Sequence, residues 1–229
     1  MEYSERIARK GLEIGAMKFN FEDPFQWTSG FKMPIYTNCK KFIMHAGARK
    51  LITGGFKELF NKNEIYYCIV AGTSTAGISP GTSVADALDL PFVYVRDKQK
   101  SHGMKTRIEG IEDLSELKGE RVVVIEDVIS TGGSSAKVVQ TLRDAGAECD
   151  YCFSIFSYGF DLARWTFEGD NPYDSNGNRL THPCNVESIL DYDTLLRIAQ
   201  KEKKISQRDL ERLGEWRADP FGWGAKNGF

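Results

Sequence analysis

The sequence contains no long uncharged apolar run and no excess of basic residues. No stretch approaches the roughly 18 apolar residues of a membrane span, and the first residues, MEYSERIARKG, lack the apolar core of a signal peptide. The 30 basic and 32 acidic side chains give a net charge of -2, which argues against general binding to nucleic acid or to membrane surfaces. We therefore expect a cytoplasmic protein with no nucleic-acid or membrane partner.

Cysteine and histidine are also scarce. The five cysteines are an odd and scattered set, which indicates free thiols in a reducing compartment. Cys149 and Cys152 lie in a predicted strand, where side chains three positions apart point to opposite faces, so we expect neither a redox pair nor a metal site there. No second pair completes a zinc site, and the histidines are His45, His102 and His182.

Residues 119–146 combine a strand, an acidic pair, a loop of small residues and a helix. The continuous apolar and β-branched run 122–125 predicts a strand buried on both faces of a parallel sheet. Glu126 and Asp127 follow this strand, and the loop 130–135 comes next. Apolar residues then recur at helical spacing up to Gly146, which is a typical helix stop.

This arrangement is suited to binding a sugar phosphate. The NH groups at the start of a helix are unpaired and carry the positive end of the helix dipole, so they can hold a phosphate. The carboxylates of Glu126 and Asp127 can accept hydrogen bonds from vicinal ribose hydroxyls, or bind a magnesium ion that bridges to them. The alternative is a solvated turn with an ordinary helix cap. Neither a Walker A pattern nor a GxGxxG after a strand is present.

The loop 96–107 concentrates basic residues on a chain of slightly negative net charge. Such a concentration predicts an anionic ligand, with Gly103 as a hinge; the alternative is a solvated, flexible charged loop. The side chains that are or can become cationic are Arg96, Lys98, Lys100, His102, Lys105 and Arg107.

Short apolar strands alternate with helical patterns along the chain, which predicts an α/β fold built on a doubly wound parallel sheet. Ligands bind beyond the carboxyl ends of the strands in such sheets, and the loops 71–77, 96–107, 126–135 and 157–160 all follow predicted strands. The other predicted elements are a hairpin over 19–38 that turns at Ser29 and Gly30, a helix over 45–60, strands over 65–70 and 186–190, a helix over 191–200, and a capped helix that begins at Ser206.

Residues 72–76 support a rival function. They approximate the GxSxG nucleophile elbow of serine hydrolases, with Ser74 between a predicted strand and a helix. Asp161 and His182 follow in the order that such hydrolases use. Ala76 replaces the second glycine of the pattern. A hydrolase that uses Ser74 is therefore an alternative.

Residues 122–135 resemble the phosphoribosyl pyrophosphate (PRPP) binding motif of type I phosphoribosyltransferases, which has four aliphatic residues, two acidic residues and a Ser/Thr-rich loop with glycine. Residues 96–103, RDKQKSHG, are similar to the catalytic loop of the orotate phosphoribosyltransferases. The resemblance covers most of residues 11–200. It implies a type I phosphoribosyltransferase-like sheet with a small N-terminal hood, in a single domain over 1–229. Its parts are the hood 1–43, the core 44–200, and the C-terminal helix and tail 201–229.

The resemblance also implies the reaction. The ribose 5-phosphate of PRPP is transferred to orotate, which gives orotidine 5'-phosphate and pyrophosphate as a step of pyrimidine biosynthesis. Magnesium takes part through PRPP and has no direct protein ligand. The family forms homodimers in which the basic loop, here 96–107, reaches the site of the neighbouring subunit.

The matching positions imply roles for individual residues. Catalysis is assigned to Lys100, Asp127 and His102. Orotate binding is assigned to Ser130 and, in the hood, to Tyr36 and Lys32. PRPP binding is assigned to Arg96, Lys98, Lys100, His102, Glu126, Asp127, Val128, Ile129, Ser130, Thr131, Gly132, Gly133 and Ser134.

Three positions depart from the family pattern. Ala76 stands where many orotate enzymes have a lysine, Asp97 follows the first arginine of the basic loop, and Tyr158 lies near the place where some have a base-contacting arginine. A phosphoribosyltransferase for another nucleobase is therefore an alternative, as is a PRPP-binding regulator without turnover. The turn-rich stretch 170–184 is predicted to be a surface insertion, and the aromatic tail 218–229 packs against either the body or a partner.

Overall fold

The N-terminal segment is a helix followed by two short antiparallel ribbons. The computed structural model describes residues 2–27, 30–97, 106–169, 180 and 182–229. The first elements are α1 (Tyr3–Glu13), β1 (Met17–Phe19), β2 (Phe25–Gln26), β3 (Lys32–Met33) and β4 (Ile35–Thr37). β1 pairs with β4, and β2 pairs with β3. Pro34, which has no NH to donate, separates β3 from β4 and divides the predicted 19–38 hairpin into two ribbons. The predicted turn residue Ser29 lies outside the described residues.

The remaining elements alternate between helix and strand as predicted. Two 3-10 turns, Cys39–Met44 and Leu114–Leu117, lie between them. In chain order the elements are α2 (Ala46–Lys62), β5 (Ile69–Thr73), α3 (Ile78–Leu88), β6 (Phe92–Val95), β7 (Ile108–Glu109), β8 (Arg121–Ile129), α4 (Gly133–Asp144), β9 (Glu148–Ser157), α5 (Asp161–Glu168), β10 (Asn185–Asp191), α6 (Tyr192–Lys201), α7 (Gln207–Ala218) and α8 (Trp223–Lys226).

Six strands of the described chain form one central sheet in the order β10-β9-β8-β5-β6-β7. All neighbours are parallel except β6 and β7, which are antiparallel. From β5 the chain crosses through α3 to β6 on one side, and it later returns to β8 on the other side of β5. The strand order therefore reverses between β5 and β8, and the crevice beyond their carboxyl ends is the place where such sheets bind ligands.

Both faces of the sheet are covered, as the apolar run in β8 predicts. Val123 and Ile125 belong to a core cluster shared with α1, α2, α3 and α6, whereas Val122 and Val124 belong to a second cluster shared with α4 and α5. Successive side chains of a strand point to opposite faces, so a strand covered on both faces needs an unbroken apolar run. The predicted doubly wound α/β fold is confirmed.

The strand predicted over 65–70 is displaced. The backbone NH of Ile65 donates to the Phe60 carbonyl at 3.0 Å and closes the end of α2. Tyr66 and Tyr67 are then exposed, at 60% and 87% of their surface, and β5 begins only at Ile69. The prediction was wrong because the apolar run also serves as a helix end. The helix α5 was not predicted at all.

The predicted orientation of the Cys149 and Cys152 side chains is also wrong. A bulge in β9 places Arg121 opposite Glu148 but Val123 opposite Tyr151, and the extra residue shifts the alternation of side chains. Cys149 and Cys152 therefore share one core cluster instead of pointing to opposite faces. All five cysteines are free and buried. The described residues include no group of three or more His, Cys, Asp or Glu side chains placed to hold a metal.

The C-terminal part packs on the body of the protein. The predicted capping box is present: Ser206 accepts from the NH of Asp209, and Asp209 accepts in return from the NH of Ser206. Trp223 in the tail is buried to 2% exposure, which settles that the tail packs against the chain itself. Among the described residues, no helix is long and apolar enough to cross a membrane.

The packing of α2 on β10 makes a stability prediction. A Cβ at Gly55 would come 2.5 Å from Ile189 Cγ2, so Gly55→Ala should lower the free energy of unfolding by about 1–3 kcal/mol. Gly47 in the same helix has open space at this position, so Gly47→Ala should leave stability unchanged or raise it slightly. Urea unfolding measures both, and equal stabilities for the two variants would contradict this packing.

Candidate active site

The acidic pair lies at the switch point of the sheet. Pairing between β5 and β8 ends at Gly72 and Ile125, while β8 continues beside β9 as far as Ile129. Glu126 and Asp127 therefore follow immediately after the last residue that β5 covers. The predicted order of strand, acidic pair, loop and helix is confirmed, although the strand itself extends to Ile129 and includes the pair.

The Glu126 carboxylate is buried and receives three hydrogen bonds. Its Oε1 accepts from Thr73 Oγ1 at 2.6 Å and from the backbone NH of Asp127 at 2.9 Å. Its Oε2 accepts from Ser135 Oγ at 2.8 Å. These donors come from the end of β5, from β8 and from the first turn of α4. One side chain thus connects the three elements that border the crevice.

Burial changes the acidity of the pair. Burial and the neighbouring Asp127 carboxylate raise the pKa of Glu126 to about 7. Burial also raises the pKa of Asp127, against the opposing effects of hydrogen bonds and of the Lys40 charge. Asp127 is only partly buried, whereas Glu126 is 7% exposed. Asp127 is therefore the carboxylate more open to a ligand.

The loop after the pair leads into α4 with its polar groups available. Gly132 has a φ of +80°, which favours glycine, and a Cβ there would come 2.8 Å from the Phe167 ring. The hydroxyls of Ser130, Thr131 and Ser134 have no hydrogen-bond partner among the described residues. The first NH groups of α4 have no preceding helical turn to bond to. This loop can hold an anion of phosphate size.

Close packing holds the loop after β5 against the end of β8. A Cβ on Gly77 would collide with the Ile125 carbonyl and with Thr73 Oγ1, so the chain can pass here only as glycine. Sequence reasoning missed the roles of Thr73, Ser135 and Lys40. Their positions next to the predicted loops gave a weak signal, but no sequence pattern shows that two hydroxyls point at one carboxylate.

The basic loop begins and ends at the same edge of the sheet. Lys98, Lys100 and His102 lie outside the described residues, so their predicted roles stay predictions. The described ends are paired: the Arg96 NH donates to the Arg107 carbonyl at 2.8 Å, and Arg107 Nε donates to the Arg96 carbonyl at 2.8 Å. Arg96 also forms an ion pair with Glu109 at 3.2 Å. A role for Arg96 in binding PRPP would therefore compete with this ion pair.

Aromatic residues attach the hood to the sheet. Tyr158, at the carboxyl end of β9, is 2% exposed, and its hydroxyl donates to Thr37 Oγ1 in β4 at 2.8 Å. Tyr158 is therefore an anchor for the hood and not a substitute for a base-contacting arginine. Tyr36 is 37% exposed and packs on Phe25 with ring centres 5.5 Å apart. It has an open face for a ligand.

The structure separates the serine and the histidine of the hydrolase alternative. Ser74 lies beyond the carboxyl end of β5. The backbone carbonyl of His182 accepts from Arg143, whose guanidinium also donates to the Cys149 carbonyl at the amino end of β9. Ser74 and His182 therefore lie at opposite ends of the parallel strands, and the structure does not bring them together.

A doubly wound sheet with an acidic pair and an open helix N-terminus at its switch point defines a protein of the phosphoribosyltransferase class. Residues 42–158 match the family model described as the phosphoribosyl transferase domain. The chain is 37% identical to the orotate phosphoribosyltransferase of Cytophaga hutchinsonii, over 97% of this chain and 99% of the relative. It is 38% identical to that of Listeria innocua, over 98% of this chain and 100% of the relative.

A solved structure agrees in fold. The crystal structure of orotate phosphoribosyltransferase from Aeropyrum pernix superposes with a TM-score of 0.66 at 23% identity, over 87% of this chain and 99% of that one. The chain belongs to the orotate phosphoribosyltransferase family. The resemblance found in residues 96–103 and 122–135 is confirmed.

Replacing Glu126 by Gln should remove a pH-dependent loss of stability. The folded state raises the pKa of Glu126 from its ordinary 4.5 to about 7, so the folded protein keeps this proton to higher pH than the unfolded chain. The free energy of unfolding therefore falls as pH rises through this window. Between about pH 4.5 and about pH 8, the wild type should lose on the order of 3 kcal/mol relative to Glu126→Gln.

Urea unfolding at a series of pH values measures this difference. Glu120→Gln, at an exposed position just before β8, is the matched control and should follow the wild-type pH curve. Parallel curves for the wild type and Glu126→Gln would show that folding does not raise the pKa of Glu126.

Proposed function

We propose that the chain transfers the ribose 5-phosphate of PRPP to orotate, which gives orotidine 5'-phosphate and pyrophosphate in the synthesis of UMP. The observation that carries the proposal is the acidic pair beside the open N-terminus of α4 at the switch point, in a chain that belongs to this family. The pair suits ribose hydroxyls, and the helix N-terminus suits the 5'-phosphate.

The transfer needs positioning and electrostatics, not a covalent nucleophile. Displacement at the anomeric carbon develops positive charge on the ribose and negative charge on the leaving pyrophosphate. The loop 130–134 and the NH groups of α4 hold the 5'-phosphate, with Val128 and Ile129 forming the approach from β8. Asp127 accepts a hydrogen bond from a ribose hydroxyl and stabilises the developing positive charge. Three protein donors already occupy the Glu126 carboxylate. Its remaining acceptor capacity serves the second ribose hydroxyl.

Magnesium belongs to the proposal through the substrate. Asp127 is a partly exposed carboxylate of the kind that magnesium favours, whereas protein donors already take most of the acceptor capacity of Glu126. These residues fit an ion that is held mostly by PRPP oxygens. When bound, the ion screens the charge of the pyrophosphate and orients it.

The basic loop and the dimer also stay proposals. Lys100 and His102, with Arg96 and Lys98, would neutralise the leaving pyrophosphate, and closure of the loop would exclude water. In the proposed homodimer this loop serves the neighbouring subunit. The exposed side chains of Ile43 and Met44, at 42% and 89%, are an apolar surface that a second subunit could cover. We also propose a single domain over 1–229 and a cytoplasmic location.

Orotate turnover is the first test. On mixing with PRPP and magnesium, we expect the orotate absorbance to fall and pyrophosphate to appear, with no release for adenine, guanine, hypoxanthine, xanthine or uracil. The assay also tests which base is recognised, because position 158 is a tyrosine and not a basic residue. Pyrophosphate release with another base alone would replace orotate in the proposal, and silence with every base would contradict it.

Asp127→Asn should reduce kcat/KM about 100-fold, because it removes a charge aimed at the developing cation. Asp150→Asn is the matched control: this carboxylate is 64% exposed near the amino end of β9 and should leave turnover unchanged. Steady-state kinetics with both variants measures the effect, alongside their unfolding curves. An active Asp127→Asn enzyme would remove Asp127 from the catalytic residues.

A further inference from the structure

The C-terminal segment, residues 206–229, lies beyond the matched region 42–158 and has no role in the reaction described so far. It contains α7 and α8 and the aromatic tail. It contacts α6 and the turn after β9, and it also contacts the hood strands β1 to β4 and the turns between them. Three separate contacts join it to the hood.

The first contact is made by Arg212 in α7. Its guanidinium donates to the Phe21 carbonyl at 3.0 Å and lies over the Phe21 ring at 4.9 Å from the ring centre. It also forms an ion pair with Glu22 at 3.4 Å. This contact fixes the turn between β1 and β2.

The second contact is made by Trp216, which is fully buried. Its indole NH donates to the sulfur of Met33 in β3 at 3.0 Å. Its ring also packs against Trp27 at 6.1 Å and against Tyr158 at 5.7 Å between centres. Trp216 therefore lies between the hood and the carboxyl end of β9, where Tyr158 is bonded to Thr37.

The third contact brings α8 against the backbone of Lys32. A Cβ on Gly224 would come 2.9 Å from Lys32 Cβ and 3.1 Å from the Lys32 carbonyl. The rings of Phe221 and Phe31 pack alongside at 5.2 Å. Within the described part of the chain, the Lys32 ammonium forms no ion pair, so it is available to an anionic ligand.

We propose that the C-terminal segment is the rear wall of the base-binding hood, and that Gly224 and Trp216 are positioning residues that set the place of Lys32. This inference rests on the proposed function, in which Lys32 contacts orotate. The segment contacts β3 at Met33 and at Lys32, and it thereby fixes the backbone from which the Lys32 side chain extends. In the proposed function the Lys32 ammonium binds the carboxylate of orotate. Binding of PRPP, at the switch point, does not depend on these contacts.

The test is Gly224→Ala, with Gly214→Ala as its matched control. Gly214 lies in α7 with nothing within 4 Å of a Cβ, so its substitution changes the same segment without touching the hood. We expect Gly224→Ala to raise KM for orotate about tenfold, as for a misplaced hydrogen bond to a charged group, and to leave KM for PRPP within about twofold. A merely destabilised protein would lose active enzyme and show no such selectivity.

A double-mutant cycle tests whether Gly224 acts through Lys32. In a Lys32→Ala background, adding Gly224→Ala should not raise KM for orotate further, because the group it displaces is already gone. Fully additive effects, or an unchanged KM in the single variant, would overturn the inference. If Gly224→Ala does not fold, Phe221→Ala at the exposed edge of the same contact replaces it, with the same expected selectivity.

The wild-type assay separates this inference from the proposed function. A wild type that is silent with every base contradicts the proposed function. An active wild type whose KM for the base is indifferent to the Gly224 and Phe221 variants contradicts only the inference about the C-terminal segment.

Discussion

The structure depends on one buried carboxylate. An ionised side chain removed from water is costly unless hydrogen bonds replace its hydration, and Glu126 receives three, from Thr73, from the NH of Asp127 and from Ser135. The donors lie on β5, β8 and α4, so they meet only when the sheet has its correct order and α4 begins at the correct residue. The three hydrogen bonds to Glu126 therefore fix the switch point and also position the residues of the candidate site. Burial still disfavours the ionised form of Glu126, and its pKa is raised as a result.

Small residues around the carboxylate follow from the same requirement. The loop after β5 must approach β8 closely enough for Thr73 to reach Glu126, and Gly77 permits this because any Cβ would meet the Ile125 carbonyl. Gly132 turns the chain with a positive φ so that α4 can start with its NH groups facing the crevice. The result leaves Asp127 and the loop hydroxyls open while Glu126 is closed off. One acid of the pair is mainly structural, and the other is available to substrate.

Local patterns predicted the strand, the acidic pair and the helix start, because each depends on a few consecutive residues. The family was also predicted, since each of its two motifs is a single continuous stretch of sequence. Features that depend on distant residues were missed. Thr73 and Glu126 are 53 positions apart, and no periodicity connects them. The displaced β5 and the two cysteines on one face were missed because a helix end and a bulge each shift the register by local geometry, which composition does not encode.

The hood is held differently from the switch point, and this difference bears on base recognition. Polar contacts to one carboxylate fix the switch point, whereas the hood is fixed mainly by aromatic packing, with Trp216 between Met33 and Tyr158. Rigid polar geometry of the kind found at the switch point suits the placement of a sugar phosphate. A packed aromatic wall can change shape by substitution without disturbing Glu126, so the hood can vary while the switch point keeps its geometry. The burial of Tyr158 illustrates this: its ring supports the packed wall and is closed to a ligand, whereas Tyr36 in the hood stays exposed.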